Sequence, residues 1–109
     1  LVQKILDLPN LQWIYHPELK ERLPVKVLKT EQIDKSFNLN KFGQKVKILS
    51  SSELEKQKIQ DYIVFEKLSI KGDTAVFRLY YKIEGAGAEG KLVRLNSEWK
   101  ILDYSVWEN

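Results

Sequence analysis

Residues 63–84 read I-V-F-E-K-L-S-I-K-G-D-T-A-V-F-R-L-Y-Y-K-I-E, and this stretch decides the fold. Two runs rich in β-branched and aromatic residues, Ile63 to Lys71 and Thr74 to Glu84, flank Gly72-Asp73, a pair suited to the tight turn of a hairpin. A two-residue loop sets definite partners. Ile70 then faces Ala75, Leu68 faces Phe77, Val64 faces Tyr81 and Tyr62 faces Ile83 on one side of the sheet. Lys71 with Thr74, Lys67 with Arg78 and Ile63 with Lys82 fall on the other side. Side chains alternate with a period of two, so a slip of one residue would turn the apolar set to water.

Downstream, Gly85 to Gly90 contains three glycines and reads as a flexible loop. A strand follows from about Lys91 to Leu95. If Asn96, Ser97 and Glu98 form a three-residue turn, Leu95 faces Trp99, Val93 faces Ile101 and Lys91 faces Asp103. A two-residue turn would match Leu95 with Glu98 and Val93 with Lys100 instead, and the first register is preferred because it buries more apolar area.

Upstream the pieces are shorter. Ser52 and Glu55 match a capping box opening a helix from Glu53 to about Gln60, whose Leu54 and Ile59 sit on poorly matched faces and suggest a solvated connector. Val46 and Ile48 alternate with Lys45 and Lys47 as a short strand, Val25 to Lys29 reads as another, and Ile33 and Phe37 stand at helical spacing in the ambiguous stretch 30–42. Leu1, Val2, Ile5 and Leu6 share a helical face that Pro9-Asn10 ends; Leu11 to Tyr15 has strand-type residues broken by His16-Pro17; Pro17 opens a helical turn through Leu19 and Leu23. The sum is one α+β domain over residues 1–109, with short N-terminal helices and strands packed on a curved antiparallel sheet that ends in a four-stranded meander.

Composition agrees with one core. The 109 residues are 43% hydrophobic and 30% charged, ordinary globular proportions, and a chain of this length buries roughly 65% of its unfolded surface. No apolar run approaches the roughly 20 residues that a membrane-spanning helix needs. A net charge of +3, with 18 basic residues interleaved among 15 acidic ones, gives no concentrated field for nucleic acid or anionic lipid. Without cysteine there are no disulfides, thiolate nucleophiles or Cys-based zinc sites. The chain opens on Leu1 and has no methionine, which fits a removed leader as well as a trimmed chain or a domain cut from a longer one; the expectation is an extracytoplasmic setting, periplasmic, lipid-anchored or secreted.

The ending L-V-R-L-N-S-E-W-K-I-L-D-Y-S-V-W-E-N, together with K-G-D-T-A-V-F in the preceding hairpin, resembles the closing strands of cone-shaped α+β domains of the nuclear transport factor two-like superfamily. The likeness spans roughly Tyr62 to Trp107. It implies a sheet curled around helices, often with a pocket that hosts small ligands, dehydratase or isomerase chemistry, or only protein contacts. The front departs from that pattern, with short proline-interrupted pieces in place of long helices, and a cystatin-like helix-on-sheet domain fits the same ending.

Glu66 is the polar side chain that the hairpin register sets on the apolar face, opposite Leu79 and between Val64 and Leu68. An ionised carboxylate there is costly unless paired, so it is a candidate for chemistry. Asp103 shares a strand face with Trp99 and Ile101, and the two carboxylates could meet beside Tyr62 or Tyr81 as general acid and base. Against this, a β-bulge near Phe65-Glu66-Lys67 would rotate Glu66 to solvent, and Lys91 opposite Asp103 supplies a surface ion pair. His16 is the only histidine, which rules out a His-rich metal site and leaves it a turn role before Pro17. Gly85 to Gly90 lacks the lysine and the strand-to-helix context of a phosphate loop.

Three tryptophans and five tyrosines are a generous aromatic set for the length. Tyr80 with Phe65, and Trp107, are candidates for exposed partner contacts, while Tyr62, Tyr81 and Trp99 are candidates for ligand contact. The expectation is therefore a non-enzymatic binding or interaction domain of an exported bacterial protein, with no cofactor and no metal, engaging a protein partner or a small apolar ligand. The alternatives are a pocket isomerase or dehydratase using Glu66 and Asp103, and a carbohydrate surface built from exposed Trp and Tyr.

Overall fold

The computed structural model describes residues 1–108. In chain order the elements are α1 (Val2–Leu6), 3₁₀ segments Pro9–Tyr15 and Lys20–Arg22, β1 (Lys26–Leu28), β2 (Asn40–Lys41), β3 (Gln44–Lys45), β4 (Lys47–Leu49), α2 (Ser51–Lys56), β5 (Ile63–Lys71), β6 (Thr74–Tyr81), a 3₁₀ turn Lys82–Glu84, β7 (Ala86–Leu95) and β8 (Glu98–Glu108). Six strands form one sheet in the order β4-β1-β5-β6-β7-β8, and β2 with β3 makes a separate small hairpin. The expected four-stranded meander is β5 to β8. The sheet is mixed, because β1 pairs parallel with both β4 and β5.

Near its turn the β5–β6 hairpin has the expected register, Lys71 with Thr74, Ile70 with Ala75, Leu68 with Phe77 and Lys67 with Arg78. A bulge between Phe65 and Lys67 then shifts the pairing, so that Phe65 faces Leu79, Val64 faces Tyr80 and Ile63 faces Tyr81. The expected pairs of Val64 with Tyr81, Tyr62 with Ile83 and Ile63 with Lys82 are thereby overturned. One extra residue exchanges the faces beyond it: Ile63 and Phe65 enter the core with Leu68, and Val64 turns out. Ile70, at the hairpin tip, lies beyond the core and is 55% exposed.

The expected glycine loop is strand. Residues 86–90 pair with both β6 and β8, Gly87 lying between Tyr80 and Trp107, and Gly90 between Phe77 and Tyr104. A Cβ at Gly87 would meet the Trp107 ring at 2.5 Å and the Leu79 carbonyl oxygen at 2.7 Å, and one at Gly90 would meet the Tyr104 Cβ at 2.5 Å. The glycines are thus the space into which neighbouring aromatics fold, covering backbone that would otherwise pack poorly. The last turn also differs from expectation. Asn96 and Ser97 both have positive φ, the geometry of a two-residue hairpin turn, and Leu95 pairs with Glu98 and Val93 with Lys100. A bulge at Leu102 restores the expected pairing of Lys91 with Asp103 and leaves Leu102 58% exposed.

The N-terminal half covers the sheet's inner face. Leu11 to Tyr15 is a 3₁₀ segment, not the expected strand, because Gln12 and Tyr15 turn back to the C-terminal end of α1. The Gln12 side-chain amide donates to the Leu6 and Leu8 carbonyls at 3.0 and 2.7 Å, and the Tyr15 hydroxyl donates to the Leu6 carbonyl at 2.8 Å. The Leu6 carbonyl, which a five-residue helix leaves without an intrahelical partner, is satisfied this way. Helix α2 starts two residues earlier than Ser52 and Glu55 suggested: Ser50 caps it and Glu53 closes the box, their backbone and side-chain bonds being 3.0 and 3.2 Å. Leu54 is the one buried residue of α2, while Ser51, Ser52, Glu55 and Lys56 are exposed, so the helix is mostly the solvated connector expected, anchored by a single apolar side chain.

Candidate functional site

Glu66 sits at the β5 bulge with its side chain 49% exposed, and its carboxylate lies 3.5 Å from the Arg78 guanidinium. Arg78 also donates to Glu89 at 2.8 Å and stacks on the Trp107 ring at 4.9 Å. Asp103 is exposed on β8, paired in register with Lys91, and borders a shallow groove of about 240 Å³ with Glu89 and Ser105. Three strand spacings separate β5 from β8, roughly 14 Å, so the structure does not bring the two carboxylates together. The strand order alone keeps them apart, and the β5 bulge adds to it. That bulge moves Glu66 off the apolar face, as the competing reading of that stretch supposed.

The aromatic candidates are equally dispersed. Tyr81 is buried beneath the N-terminal layer, Tyr62 borders a groove with Ile59, Gln60, Lys82 and Ile83, and Trp99 lies at the far hairpin tip with Arg94 stacked on its ring at 5.2 Å. Phe65 is buried at 6% exposure and offers nothing to a partner, whereas Tyr80 and Trp107 are half-buried on the outer face of the meander. That outer face is open to solvent. Rows Val64-Tyr80-Gly87-Trp107 and Lys67-Arg78-Glu89-Ser105 run across it.

One polar cluster joins distant parts of the chain. His16 ends its 3₁₀ segment in the left-handed conformation, φ 49°. Its Nδ1 lies 2.9 Å from Glu18 and its Nε2 3.0 Å from Glu84, while Arg22 pairs with the other oxygen of Glu84. The hydrogen bond to Glu18 and the charge of Glu84 raise the His16 pKa above its ordinary value, against burial and Arg22. Burial raises the Tyr81 phenol. Nearby, Lys26, only 8% exposed, is neutralised by Asp61 at 2.6 Å. This network clasps the N-terminal layer to the end of β6. Sequence reasoning gave His16 a turn and did not find Glu84 or Arg22 beside it, because those contacts cross 62 and more residues and leave no local pattern.

Among the described residues no group of three or more His, Cys, Asp or Glu side chains could hold a metal ion, and no helix is long and apolar enough to cross a membrane. Comparison of the chain with protein-family models, curated proteins and solved structures returns no match.

Proposed function

We propose that this domain is a non-catalytic binding or interaction module. The observation that carries the reading is how the inner side of the sheet is filled. Leu11, Ile14, Tyr15, Phe77 and Leu79 join one cluster there, none more than 1% exposed, in the space that a pocket of the cone type would need. The carboxylates suited to acid–base work lie on open surface, Glu66 in an ion pair with Arg78. A half-exposed aromatic and arginine row on a rigid sheet is the composition of contact surfaces between proteins. The carbohydrate reading is less well supported, because Arg78 and Arg94 already occupy the Trp107 and Trp99 faces on which a sugar would stack.

The test is the melting temperature of the domain across a panel of metabolites and soluble oligosaccharides, which is expected to stay flat. A saturable rise that the double change Glu66→Gln, Asp103→Asn abolishes would replace this reading with a pocket enzyme.

A further inference from the structure

Strand β4 forms one edge of the six-stranded sheet. Its Lys47 N–H donates to the Val25 carbonyl at 2.9 Å, and its Leu49 carbonyl accepts from the Lys29 N–H at 2.8 Å, so residues 47 and 49 turn their backbone toward β1. Alternation along a strand then turns the Ile48 N–H and C=O the other way, outward from the sheet. Val46 bonds across to the Leu39 carbonyl at 2.8 Å, but the facing chain does not accompany β4 further. Where it diverges, a groove of about 320 Å³ opens along the strand, with Phe37, Val46, Ile48 and Leu49 as its apolar lining and Lys35, Lys45 and Lys47 around it.

The side chains alternate as the edge requires. Val46 and Ile48 are buried, and Lys45 and Lys47 are exposed. Lys35 is held by Glu53 at 2.5 Å, while among the described residues no carboxylate pairs with Lys45 or Lys47. A strand laid against this edge would set every second side chain beside those two ammonium groups and the intervening ones toward Phe37. An amphipathic small anion could answer the lysines and the apolar floor, but it has no donor and acceptor pair to match the Ile48 backbone.

We propose that the β4 edge is a docking site for an extended segment of another protein in which acidic residues alternate with apolar ones, added as a further strand to the sheet. This rests on reading the domain as an interaction module and supplies the chemistry of one partner. The module reading itself would survive loss of this site, since its own test concerns small ligands and the acid pair.

The probe is a synthetic peptide of roughly eight residues alternating Asp and Val, carrying a fluorophore and followed by anisotropy at low salt. Saturable binding is expected, weakened by about tenfold or more in the variant Lys45→Glu, Lys47→Glu. The same loss is expected with wild-type protein when alternate peptide nitrogens are methylated, because the charges remain while the strand hydrogen bonds are blocked. That second arm leaves the protein unchanged, so it decides the matter even if the double variant folds poorly. Undiminished binding of the methylated peptide, equal binding of an Asn-Val peptide, complete displacement by decanoate, or self-association of the domain abolished by the lysine changes would each overturn the proposal.

Discussion

Both ring nitrogens of His16 face carboxylate oxygens, and only the protonated imidazole can donate to both. Its pKa is raised in the folded state, first by the hydrogen bond to Glu18, so its contribution to stability is fully present below the unfolded value of about 6.5 and is lost as pH rises through the folded one. The urea midpoint of the wild type should therefore fall as pH is raised from about 6 across that window, and His16→Gln should be flat over the same range. A parallel decline in both proteins would show that some other group titrates. Glu66 gives the opposite kind of prediction. Its carboxylate is half in water, and Arg78 keeps a nearer partner in Glu89, so Glu66→Gln should change the unfolding free energy by less than about 0.5 kcal/mol. A loss of several times that amount in urea titration would mean that the carboxylate is buried after all.

Elements that rest on local chemistry could be read from the sequence, and those that rest on distant partners could not. Gly72-Asp73 and its flanking runs set the β5–β6 register as far as Lys67, because turn and alternation act on the same few residues. Beyond it the bulge answers to curvature imposed by the whole sheet, which leaves no trace in a period-two pattern. Residues 86–90 looked like a loop because glycine is weak in strands. What makes them a strand is Trp107 and Tyr104, which lie far along the chain and fold over Gly87 and Gly90. Gly87→Ala should accordingly cost about 1–3 kcal/mol by overpacking, read as a lower urea midpoint, since the Leu79 carbonyl cannot move aside as a side chain could. The helix start makes a second test. Ser50→Ala should cost about 1 kcal/mol, and Ser52→Ala less than about 0.5 kcal/mol, an ordering that the sequence pattern alone would have reversed.

At the scale of the molecule, the α+β class and the single core were legible from composition and periodicity, but the way the two halves join was not. Every N-terminal piece is too short to be stable alone, α1 having five residues, and each is held by contacts to the sheet or to the β2–β3 hairpin. The Gln3 side chain exchanges hydrogen bonds of 2.8 and 2.9 Å with the Asn40 backbone, Lys41 pairs with Asp7 at 3.0 Å, and the Asn10 N–H donates to the Tyr104 hydroxyl at 3.2 Å. Ile14, fully buried in the same cluster as Phe77 and Leu79, ties this layer to the meander. Ile14→Ala should cost about 2–5 kcal/mol, a large share of the 5–15 kcal/mol typical of a whole domain. The loss should also be shared. Trp99 and Trp107 report on the meander, so tryptophan fluorescence in a variant carrying Trp13→Phe should fall at the same denaturant concentration as the far-ultraviolet circular dichroism. If the meander signal persisted after the rest had melted, the N-terminal half would be a removable cover, and the filled inner face on which the non-catalytic reading stands could open to a ligand.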